Sequence, residues 1–94
     1  MKEQELYKLL QEEGYPEFMM DSTVEKLKNL QPEVAHEFSQ WIDSKKTPEI
    51  EIQGFSYKSL VEDFGMKPVG AFLTLNWLVV DPVEAKESLE EGIL

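Results

Sequence analysis

The segment Pro68-Val69-Gly70-Ala71-Phe72-Leu73-Thr74-Leu75-Asn76-Trp77-Leu78-Val79-Val80 constrains this chain more than any other. Proline is welcome at the first helical position, where its missing N–H costs nothing, so Pro68 marks the start of a helix. The residues that follow are apolar nearly all round the helical wheel, with Thr74 and Asn76 the polar interruptions. A helix without a polar face must be contacted on several sides. In a chain of 94 residues that places it at the centre of the fold. The competing reading is that Trp77 to Val80 turn extended and pair as a strand with residues near 50.

The rest of the pattern is also mainly helical. Gln4 to Glu13 sets Leu6, Leu9 and Leu10 on one face and meets a stop at Gly14. Tyr15-Pro16 forces a turn, and Ser22 with Glu25 has the spacing of a capping box, which predicts a second helix from Ser22 to about Leu30 carrying Val24 and Leu27. Pro32 opens a third helix that ends near Ser44 and lines up Val34, Phe38, Trp41 and Ile42. Beyond Pro48, Glu49-Ile50-Glu51-Ile52-Gln53 alternates charged and apolar residues and is closed by Gly54, which reads as one short strand. Its ladder groups require a second segment of this chain, a copy in a homodimer formed through residues 49–53, or a partner peptide; an extended connector is the plain alternative. Ser56 caps a helix with Tyr57, Leu60, Val61 and Phe64 at i, i+3, i+4 and i+7, ended by Gly65. Asp81-Pro82-Val83-Glu84 is a start signal for a last helix ending at Gly92.

The expected fold is therefore all-α or nearly so, a compact bundle of five or six short helices with one short strand near residue 50. It forms a single domain over residues 1–94, with N-terminal helices in 1–46, the strand in 49–53 and C-terminal helices in 56–92. The expected core is Phe72, Leu75, Leu78 and Trp77, joined by Phe38, Trp41, Ile42, Leu60 and Phe64. A chain this short buries only about two-thirds of its unfolded surface, so its large apolar side chains must carry its stability.

Charge restricts the partners. Nineteen acidic residues face nine basic ones, a formal charge of −10 and a pI near 4.4. Every basic residue is lysine, so the planar fork that grips phosphate or guanine is missing, and the net field repels polyanions. The absence of cysteine removes disulfides and thiolate chemistry and fits a reducing, cytoplasmic setting. Met1-Lys2-Glu3-Gln4-Glu5 has no apolar run behind it, and no stretch reaches the length of a membrane span, so neither a signal peptide nor membrane insertion is expected.

Candidate chemistry is sparse. His36, the one histidine, can reach Glu33 or Gln40 across a helical turn, but a metal or catalytic centre needs further groups that the pattern does not supply. No cofactor and no catalysis are expected. Ser56 to Leu78 has the outline of a helix-turn-helix, with a preceding strand suited to a winged variant. Its second helix carries no basic residue after Lys67, so a DNA-binding regulator, reaching DNA through Lys45, Lys46, Lys58 and Lys67, stands as the alternative reading. The leading expectation is a small non-catalytic protein-interaction or regulatory domain that binds a basic protein partner. A second alternative is an inhibitor that mimics nucleic acid, although the acids are spread over the chain, ten in residues 1–46 and nine in 47–94. Candidate partner-binding residues are Tyr15, Phe18, Met19 and Met20, which concentrate soft apolar side chains in an expected connector, and the strand residues Ile50 and Ile52. The first four read equally as a plug that closes the core.

Overall fold

The computed structural model describes residues 3–92. Along the chain run α1 (Glu3–Glu12), α2 (Glu17–Lys28), α3 (Pro32–Ser44), β1 (Glu51–Ile52), β2 (Phe55–Ser56), α4 (Tyr57–Glu62), α5 (Pro68–Val80) and α6 (Pro82–Glu91). Helix α5 occupies the centre, packed on α3, α4, α6 and β1, while α1 packs on α2. Val69, Ala71, Phe72, Leu75 and Leu78 are sealed from solvent. Phe72 lies at the middle of an aromatic cluster, with ring centroids 5.0 Å from Phe38, 4.9 Å from Tyr57 and 5.6 Å from Trp41. Leu10, Val24, Val34 and Leu60 complete the sealed set of large side chains, so every one of the first five helices contributes to one core.

Two starts follow directly from local chemistry. The Ser56 hydroxyl accepts the Ser59 N–H at 3.0 Å and caps α4. Asp81 accepts the Glu84 N–H at 3.3 Å and caps α6, with Pro82 at its first position. Helix α6 then closes on Gly92, whose φ of +71° suits a residue without Cβ.

Several expectations need correction. Helix α2 begins at Glu17, not Ser22. Pro16 stands at its N-cap in extended conformation, and Ser22 sits within the helix, its hydroxyl bonding back to the Met19 carbonyl at 3.2 Å. The earlier start carries Met20 into packing contact with the core one turn before Val24, and that burial outweighs the cap. Residues Trp77 to Val80 stay helical, with the Asp81 N–H on the Trp77 carbonyl at 2.7 Å. The strand finds its partner next door: β1 pairs antiparallel with β2 in the register Glu51 to Ser56 and Ile52 to Phe55. The two-residue turn between them has φ of +54° at Gln53 and +86° at Gly54, the positive values that a type I′ hairpin turn requires. Within the expected 49–53 span, regular strand structure is thus confined to Glu51–Ile52. Phe64, expected in the core, lies beyond the end of α4, 41% exposed, with its ring edge-on to Phe55 at 6.0 Å. Trp41, Ile42 and Trp77 pack against the core from its margin rather than within it.

Candidate interaction surface

The sequence-predicted partner residues do not form one patch. Tyr15 is half-buried with its hydroxyl over Gly70, 3.9 Å from where a Cβ would stand, and Met20 packs on the core. Both are plugs. Phe18 and Met19, on the first turn of α2, point outward, Phe18 with 85% of its surface exposed. Ile50 and Ile52 are half-buried against the core, and β1 spends one edge on β2.

The lysines of the DNA-binding alternative are each accompanied by acid. Lys45 lies 4.4 Å from the Trp41 ring centroid, and both Lys45 and Lys67 are near enough to Glu13 to pull its pKa downward. Lys46 shares a shallow hollow with Glu37 and Glu49, and Lys58 stands one turn before Glu62 on α4. The pair α4 and α5 does stand in helix-turn-helix order, but α5 turns Val69, Phe72, Leu75 and Leu78 inward. What it leaves outward is Leu73, Trp77 and Val80, with the half-exposed Asn76 beside them, whose Oδ1 already accepts the Gln31 N–H at 2.7 Å, and α5 itself carries no cation to meet phosphate or guanine.

Glu13 is the most tied of the acids. Its carboxylate accepts the Val69 N–H at 3.2 Å, so α5, whose own N-cap Lys67 makes no side-chain cap, is capped from the end of α1 across the fold. Burial raises its pKa against the opposing pull of this bond and of Lys67 and Lys45. Tyr7 donates to Asp21 at 2.6 Å, and this bond, helped by the surrounding acids, holds its phenol up at about 12. His36 is exposed on α3. Among the described residues no three His, Asp or Glu side chains gather as a metal-ligand set, and no helix is long and apolar enough to cross a membrane.

Two features missed by sequence reasoning lie on the consecutive helices α5 and α6. Between α2 and α5 the surface opens into a groove of about 420 Å³ lined by Leu73, Trp77 and Val80, with Thr74, Asn76 and Lys26 at its polar margins. Leu73, Trp77 and Val80 recur at i, i+4 and i+7, one stripe of α5 left without a covering helix. Val80 is 61% exposed and Val83, three residues on, 68%. Val83 opens the outer face of α6. At 100° per residue, Val83, Glu84, Glu87, Glu90 and Glu91 fall within an arc of about 120°, opposite the buried Ala85 and Leu89. All five are exposed, whereas Lys86 lies off this arc and is half-buried.

That face is electrostatically unfavourable as an isolated surface. Glu84, Glu87, Glu90 and Glu91 repel one another at i+3 and i+4, and Glu90 and Glu91 occupy the negative end of the helix dipole, where no basic residue stands. The proximity of Asp81, which raises the pKa of Glu84, adds to the crowding. By contrast, the ion pairs among the described residues belong to Lys28, which meets Glu3 and Glu25 at 3.6 Å each on the other side of the sequence. Compared with family models, with curated proteins and with solved structures, the chain matches none.

Proposed function

We propose that this protein is a small non-catalytic interaction or regulatory domain whose acidic surface engages a basic protein partner in the cytoplasm. The observation that carries the reading is the outer face of α6: four glutamates within one arc, crowded by Asp81, with no cation on the face. A helix that breaks its own charge rules is held by the rest of the fold, and such exceptions tend to mark places where a partner supplies what the helix lacks. A net charge of −10 gives long-range attraction for a basic partner and speeds encounter at low salt.

Affinity capture of the tagged protein from its own cell lysate tests this, with nuclease-treated and untreated samples each washed at low and then high salt. A basic protein that survives nuclease and elutes with salt is the expected result. Recovery of nucleic acid that disappears on nuclease treatment would sink the reading and favour the DNA-binding alternative through α4 and α5.

A further inference from the structure

The geometry points to a single docking surface, made of the α2–α5 groove and the outer face of α6, that takes a basic amphipathic helix from a partner protein. The inference rests on the acidic-interaction reading and adds to it a location and an occupant.

The groove sets the shape of the occupant. It runs beside α5, and its apolar lining, Leu73, Trp77 and Val80, repeats at helical spacing. A stripe of that kind accepts the ridge of a second helix, whose anchors come at i, i+3 or i+4, and i+7. Val80, which lines the groove, and Val83, which opens the outer face of α6, are both exposed, and three residues separate them, so their Cα atoms lie within about 11 Å. From Val83 the outer face of α6 continues for the rest of a ten-residue helix, about 15 Å, as Glu84, Glu87, Glu90 and Glu91. The surface therefore changes from apolar to acidic along its length. Its complement is a helix with apolar anchors at one end and lysine or arginine at the other.

Charge separates this occupant from a second copy of the chain. Two copies would bring −10 against −10, and the nine lysines of this chain are scattered among nineteen acids. Among the described helices, α2 has basic residues in its last turn, Lys26 and Lys28, and exposes Phe18 and Met19 in its first, but Glu17, Asp21 and Glu25 on the same helix outnumber its lysines and leave it net negative. The other described helices end without basic last turns. A partner chain with a basic helix relieves the repulsion on α6, and a twin adds to it.

The test uses the whole protein and two synthetic helical peptides: one with leucine on one face and lysine on the other, and a twin with glutamate in place of lysine. Calorimetry gives the affinities, and amide shifts map the contacts. The lysine peptide is expected to bind, with shifts at Leu73, Trp77, Val80 and Val83, and the glutamate twin to bind at least about tenfold more weakly. Val80→Asp and Val83→Asp change exposed positions and leave the fold intact, which their amide spectra verify. Each adds negative charge, which favours a basic ligand, so a drop of about tenfold or more in either reports loss of the apolar anchor. Changing Glu84, Glu87, Glu90 and Glu91 together to glutamine should weaken binding and flatten its dependence on salt. If the glutamine variant loses binding while both aspartate variants keep it, the groove is overturned and the acidic reading stands. Equal binding of both peptides overturns the basic occupant. No binding of the lysine peptide overturns the docking surface, and the acidic-interaction reading then stands or falls on the lysate capture alone.

Discussion

At its N-terminal end α5 is closed over by the rest of the molecule. Glu13 bonds to the Val69 N–H, Tyr15 lies across Gly70, and Phe72 is enclosed by Phe38, Trp41 and Tyr57. Toward its C-terminal end the same helix stays mainly apolar, yet Trp77 and Val80 look onto an open groove that starts at Leu73. Both ends carry large apolar side chains, and what differs most is the traffic of neighbouring elements. The link after α1 and the aromatic cluster converge on the first two turns, whereas α2, drawn toward α1, leaves the last two turns uncovered on one side. The contrast explains how a chain can keep an apolar stripe at its surface without loss of stability: the buried end holds the helix in place, and the open end needs only to continue it.

Changes at the closed end should therefore cost far more than changes at the open one. Phe72→Ala is expected to have the largest effect, a loss of about 3–5 kcal/mol, because the ring is sealed and touches three other aromatic side chains. Against a total stability of roughly 5–15 kcal/mol, that loss leaves the variant marginal. Urea unfolding followed by far-ultraviolet circular dichroism reads it. A loss below about 1 kcal/mol would mean that the aromatic cluster re-packs around the space, and the closed end would not be the anchor described here.

Next in size is the cap that α1 lends to α5. Glu13→Ala removes the acceptor of the Val69 N–H and should cost about 1–2 kcal/mol. Glu13→Gln keeps a carbonyl oxygen for that bond and removes the charge. Burial raises the folded-state pKa of Glu13 above its value in the unfolded chain, so its ionisation opposes folding: the stability linked to the protonated form is complete below the unfolded pKa and is lost as pH rises through the folded one. Wild type and Glu13→Gln should match in acid below the ordinary carboxylate range, and the glutamine variant should gain on wild type as pH rises through the raised pKa. The opposite trend would show that Lys67, Lys45 and the Val69 bond outweigh burial at this carboxylate.

Much of the helical frame was legible in the sequence, because its signals are local. Proline at the first position of α3 and α5, the Ser56 cap and the Asp81-Pro82 start each act within one turn, and each marks a helix that forms. The start of α2 was misread for the converse reason. Ser22 and Glu25 suit a cap, but Met20, Val24 and Leu27 together suit a longer buried face, and only the core decides between them. Strand β2 is two residues long, too short for any periodicity. The groove lay out of reach altogether: a helix apolar on all sides does not reveal which side will be left open, since that depends on where α2 settles. The face of α6 was present in the spacing of its glutamates, but it was obscured by an acidity spread along the entire chain.

A smaller effect with the opposite sign tests the contact that closes the N-terminal end. Gly70 lies inside α5, where glycine weakens a helix by about 0.5–1 kcal/mol relative to alanine. A Cβ there would stand 3.9 Å from the Tyr15 hydroxyl, an ordinary van der Waals distance, so Gly70→Ala should stabilise the protein by up to that amount. A loss instead would show that Tyr15 sits tighter on α5 than this spacing allows, and that the glycine is needed for close approach.

Val80→Ser should have the smallest effect on stability, because it probes the open end alone. The side chain is 61% exposed, valine and serine have similar helix propensities, and surface changes of this kind stay within about 0.5 kcal/mol. Thermal unfolding of the free protein gives the measurement. If the substitution costs as much as 1 kcal/mol, Val80 is covered in solution and the groove between α2 and α5 is closed when the protein is alone; the difference between the two ends of α5 would then be one of degree. If stability is unchanged while the lysine peptide binds more weakly, folding does not require the valine, and its place on the surface is explained by what it docks.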